Sequence, residues 1–113
     1  MKMLLLVLNQ VELQEPLLEA LMEGGVHGGT ILTSTGMARL LSENEDFPMF
    51  GTLRGWLDPQ RKESKTIFIA LKDEEVERVK EIIRSVLGDF SKPDTAVLFT
   101  LPLLEAEGIW TDE

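Results

Sequence analysis

The chain has 113 residues, no cysteine and one histidine, and its 11 basic and 20 acidic side chains give a formal net charge of −9. That length predicts one domain with an ordinary hydrophobic core, and the absence of cysteine excludes disulfides and thiolate metal sites. Nucleic-acid binding through the general field is also excluded, because it needs a basic surface to neutralise phosphates.

Taken in chain order, Leu4-Leu5-Leu6-Val7-Leu8 lies in a first strand over residues 2–8. Its apolar run is too short for a signal peptide, and Asn9-Gln10 interrupts it. No stretch approaches the roughly 20 apolar residues that span a bilayer. The expectation is a cytoplasmic protein without membrane insertion. Pro16 suits a first helical position, Leu17, Leu18, Leu21 and Met22 make one apolar stripe, and Gly24-Gly25 stops that helix.

The turn Gly25-Val26-His27-Gly28-Gly29-Thr30 leads into a second strand over residues 28–35, which ends at Gly36-Met37-Ala38-Arg39. A third strand is expected only at residues 65–71. The connection over 36–64 is therefore far longer than the ~2–5 residues of a hairpin loop. It is also a neutral island: residues 39–65 hold five basic and five acidic side chains, leaving six and fifteen elsewhere. The connection contains Phe47-Pro48-Met49-Phe50 and Arg54-Gly55-Trp56-Leu57, too apolar for a disordered linker. Either it packs on the body or it meets a protein partner, for which Phe47, Phe50, Arg54 and Trp56 are the residue types interface hot spots use.

A second helix follows, with Asp73 as its expected cap and Glu74 as the expected partner of Arg78. Val76, Val79, Ile82, Ile83, Val86 and Leu87 form its apolar face, and Gly88 ends it. A last strand spans residues 95–103. The order strand-helix-strand-strand-helix-strand predicts an α+β, ferredoxin-like β-α-β-β-α-β sandwich, with a four-stranded antiparallel sheet and both helices on one face. The other face of such a sheet ordinarily alternates with polar residues. Here Met3–Leu8, Ile67–Leu71 and Ala96–Phe99 are continuously apolar. Strands of this kind are buried on both faces, so a second cover is expected, most simply another copy of the chain.

Catalysis has little to work with. His27 sits in a glycine turn without a neighbouring serine or carboxylate, so it is read as a surface turn residue and not as a catalytic or metal-binding group. No phosphate-binding P-loop or zinc-protease motif occurs. Asp73-Glu74-Glu75 is read as favourable charge at a helix start. No catalytic residue is assigned, and the expectation is a non-enzymatic protein.

Together these features resemble the PII signalling superfamily, the trimeric ferredoxin-like regulators related to the nitrogen sensor, over nearly the whole chain. Three motifs carry the likeness. Gly25-Val26-His27-Gly28-Gly29-Thr30 matches the family's Gly-Val-x-Gly-x-Thr turn, and Gly36-Met37-Ala38-Arg39 follows at the spacing of its Gly-x-Gly-Arg segment. Phe99-Thr100-Leu101-Pro102-Leu103 is similar to the Phe-Val-x-Pro-Val of the last strand. The resemblance implies a homotrimer with a T-loop at residues 36–64, of which residues 39–64 contact a protein target. It also implies an adenine nucleotide (ATP, ADP or AMP) in the cleft between subunits, on Thr30, Gly36, Met37, Ala38, Arg39 and Lys92.

The chain departs from the family pattern at four places. Val97 stands at the position of the phosphate-binding lysine, with only Lys92 nearby, and Leu40 replaces the glutamine after the arginine. The C-terminal arginines are absent, and there is no tyrosine to uridylylate. These departures point to altered or lost nucleotide binding. The alternatives are a ligand-free trimeric scaffold of the same superfamily, of the CutA-like class, and a small ferredoxin-like enzyme, whose arginine–asparagine phosphate loop is not apparent.

Overall fold

The computed structural model describes residues 1–42 and 63–109. Strand β1 (Lys2–Leu8) buries Leu4, Leu6 and Leu8 completely and leaves Met3, Leu5 and Val7 half-buried on its other side. Strand β3 (Ser64–Leu71) does the same with Ile67, Ile69 and Leu71 against Phe68 and Ala70. With β2 (Thr30–Ser34) and β4 (Ala96–Pro102) they form one sheet in the order β2-β3-β1-β4, every pair antiparallel. This is the ferredoxin-like arrangement expected.

Helix α1 (Gln14–Glu23) buries Leu17 and Leu21, and α3 (Val76–Leu87) buries Val76, Val79, Ile83 and Leu87. The two helices pack on each other, and their stripes join the alternate residues of β1 and β3 in one core. Each fully buried aliphatic side chain contributes about 1.5–3 kcal/mol relative to exposure. Arg78 links the pair by donating to the carbonyl of Gly24, the residue that ends α1.

Several local expectations are corrected. Helix α1 begins two residues before Pro16, after a 3-10 turn at Val11–Leu13. Proline is tolerated in this first turn because the N–H groups there have no intrahelical acceptor. Asp73 does not cap α3. It opens a 3-10 turn, Asp73–Glu75, and the Glu75 carboxylate accepts the Lys72 backbone N–H at 3.1 Å. Arg78 pairs with Glu75 at 3.6 Å, one turn away on the same face, not with Glu74. Gly88 does stop α3, at φ 75°, a left-handed conformation that glycine adopts without steric cost. The segment after β2 has no periodicity to predict regular structure, yet it opens with a short helix, α2 (Met37–Ser42).

Cross-strand partners share a face. The register therefore puts Leu32, Met3, Leu5, Val7, Phe68, Ala70, Val97, Phe99 and Leu101 on the side away from α1 and α3. In the isolated chain Leu32, Val97, Phe99 and Leu101 stay 42–49% exposed, so among the described residues this face is apolar and partly open to solvent.

Candidate functional site

The antiparallel order sorts the loops into two groups, one at each end of the sheet. At one end β1 and β2 finish and β3 and β4 begin. Here α2 starts, with the Leu40 N–H donating to the Gly36 carbonyl at 3.0 Å. A Cβ at Gly36 would meet open space and its φ is not left-handed, so none of the described residues calls for glycine there. Met37 projects outward.

Arg39 turns inward. Its Nη2 lies 3.2 Å from Asp94 Oδ2, and the two side chains are only 12% and 7% exposed. The pair joins α2, which follows one edge strand, to the turn before β4, the opposite edge strand. At about 4.8 Å between strands this spans roughly 14 Å. Asp94 has φ 58°, a conformation uncommon outside glycine but several-fold enriched in aspartate and asparagine.

The 88–95 turn that carries Asp94 is held from both sides. The Thr95 carbonyl accepts the backbone N–H groups of Asn9 and Gln10 at 3.0 and 3.2 Å. Asp89 Oδ1 accepts the Ser91 hydroxyl at 2.7 Å and its N–H at 2.8 Å, and these bonds hold the carboxyl below its ordinary pKa. Lys92 is exposed on the same turn. Nearby, Ser34 Oγ lies 2.8 Å from both Ser64 Oγ and Thr66 Oγ1, a hydroxyl cluster that fastens β2 to β3 where the long connection leaves the sheet.

The opposite end holds a cleft of about 450 Å³. The turn Gly25–Thr30 forms one wall, with Met1, Met3, Phe68, Lys72 and Ile109 around it. Beside it Asp73 Oδ1 meets the Met1 α-amine at 3.1 Å and Lys2 Nζ at 3.2 Å, and these two hydrogen bonds lower its pKa in that order.

Of the residues assigned to a ligand, Gly36, Met37, Ala38 and Arg39 lie in or beside α2, at the same end of the sheet as Lys92. Thr30 does not join them. It opens β2 at the other end, and Gly36 lies roughly 20 Å away at about 3.3 Å per residue. Phe47, Phe50, Arg54 and Trp56 lie outside the described residues. Sequence reasoning misses Asp94 and the Ser34–Ser64–Thr66 cluster. The only sequence signals for them are an aspartate directly before a strand and hydroxyl residues at both roots of the connection. Among the described residues no three His, Asp or Glu side chains gather into a metal site, and no helix is long and apolar enough to cross a membrane.

No family model and no curated protein matches the chain. A solved structure does: a functionally unknown protein from Pediococcus pentosaceus, 18% identical, superimposes with a TM-score of 0.63 over 96% of both chains. At that identity the likeness speaks for the fold alone.

Proposed function

We infer that this chain is a non-enzymatic, PII-like regulatory protein of the cytoplasm. It works as a homotrimer, binds a small anionic ligand between subunits and presents residues 39–64 of the long connection to a protein target. The observation that carries the reading is the separation of the two motif halves. Thr30 with its glycine turn and Gly36–Arg39 with Lys92 sit at opposite ends of one sheet, so no single chain brings both to one ligand. A second copy can, and the partly exposed apolar face supplies a reason for copies to associate. Ligand binding would act by favouring one arrangement of the connection, which requires different affinity for its two states.

The ligand class follows from Arg39 and Lys92, which suit phosphate oxygens. The test is titration calorimetry of the native protein against AMP, ADP and ATP, with and without magnesium, beside Arg39→Ala. The expected result is nucleotide binding that weakens at least ~10-fold in the variant, the scale of one lost charge-assisted contact. Silence toward all three would contradict an adenine nucleotide as the ligand. One observation favours the ligand-free scaffold as a second reading: Arg39, the residue expected to meet a phosphate, already has a carboxylate partner in Asp94.

A further inference from the structure

We propose that the Arg39–Asp94 ion pair is an internal latch, in which Asp94 holds the guanidinium that the Gly36–Arg39 turn offers to an oxyanion. Anion binding and the release of α2 from the 88–95 turn are then one event. The proposal rests on the reading of Gly36–Arg39 as an anion-facing turn.

Three features set this pair apart from an ordinary surface ion pair. It is largely withdrawn from solvent, whereas the Lys65–Glu63 and Lys80–Glu77 pairs each leave the acidic partner at least half exposed. It connects residues 55 apart in sequence and reaches across the end of the sheet, so it ties α2 to the opposite edge and does not merely decorate one helix. Its acidic member is presented from a left-handed backbone position, on a turn anchored to the end of β1 through Thr95.

A buried carboxylate facing a guanidinium makes the same charge-assisted contact that a phosphate oxygen would make. An incoming anion therefore competes with Asp94 for one group. Its apparent affinity is reduced by the fraction of molecules in which the latch is closed. Lys92, exposed two residues before Asp94, adds a second cationic side chain to the same turn.

The test replaces the carboxylate without disturbing the turn. Asp94→Asn keeps the side-chain shape, tolerates the positive φ and removes the competing charge. Inorganic pyrophosphate is the probe, titrated by calorimetry into the native protein, Asp94→Asn, and Arg39→Ala/Asp94→Asn. The expected result is binding at least about tenfold tighter in Asp94→Asn than in the native protein, the gain for a latch closed nine-tenths of the time. The double variant should lose that gain. Equal affinity in native protein and Asp94→Asn, silence in both, or a gain that survives in the double variant would overturn the latch.

Should Asp94→Asn fail to fold, the native protein answers instead. Pyrophosphate should shift the Arg39 Nε–H resonance and speed its exchange with solvent, and an unchanged signal at saturating probe would overturn the proposal. Pyrophosphate has no base or ribose, which separates this claim from the nucleotide reading. A gain with pyrophosphate alongside silence toward ATP supports the latch and contradicts nucleotide sensing. ATP binding to the native protein without a gain in Asp94→Asn does the reverse.

Discussion

Asp89 shows how single contacts shape the turn that carries the candidate site. The Ser91 hydroxyl and then the Ser91 N–H stabilise its ionised form, so its folded pKa lies below the ordinary 3.8. A depressed carboxylate contributes stability that is present above the unfolded pKa and is lost as pH falls through the folded value. Asp89→Ala should therefore lower the melting temperature slightly at pH 7, and the difference should shrink toward zero as the pH drops below 3.8. The effect is small because the group is exposed to solvent. A difference that persists undiminished in strong acid would mean the side chain acts through packing and not through its charge. At this scale the sequence is only partly legible. Arg39 can be picked out from its motif, but its partner Asp94 cannot, because a pairing between residues 55 apart depends on which strands become the two edges of the sheet.

Helix α3 is the element most plainly written in the sequence. Its apolar residues follow a 3.6-residue period without interruption, and glycine ends it. Within that stripe Ile83 is fully buried, whereas Ile82 is only partly buried against the edge of the core. Ile83→Ala should cost about 2–5 kcal/mol in denaturant unfolding at fixed protein concentration, and Ile82→Ala clearly less. Equal costs would mean that α3 turns a different face to the core, with Ile82 and Ile83 sharing it evenly. The strands are legible as well, to within one or two residues, because continuous aliphatic runs bounded by turn residues leave few other choices. Helix α2 is not. Six residues offer too little periodicity to recognise, and its stability comes from tertiary contact such as the Arg39–Asp94 pair and not from local propensity. The start of α3 is obscured for a related reason. Asp73 is the obvious cap by residue type, but it is drawn to the Met1 amine and Lys2 across the strand end, and Glu75 serves the turn in its place.

At the scale of the whole molecule, the two faces of the sheet pose different problems. One is sealed by α1 and α3. The other carries Leu32, Val97, Phe99 and Leu101 at 42–49% exposure beside Met3, Leu5, Val7 and Phe68. The continuous apolar runs of β1, β3 and β4 already imply a face of this kind, since strands covered on one side alone alternate with polar residues. What the sequence does not reveal is the division of the candidate site between the two ends of the sheet. The strand order sets that division: Thr30 and Arg39 are close in sequence, yet one opens β2 and the other lies beyond its end. Association with further copies would meet both the exposed apolar face and the divided site, and the proposed function depends on it. Light scattering of the purified protein at micromolar concentration tests this directly. A homotrimer should scatter with a mass three times the 12.7 kDa of one chain, and a stable monomer with its apolar sheet face open to water would contradict the proposed assembly.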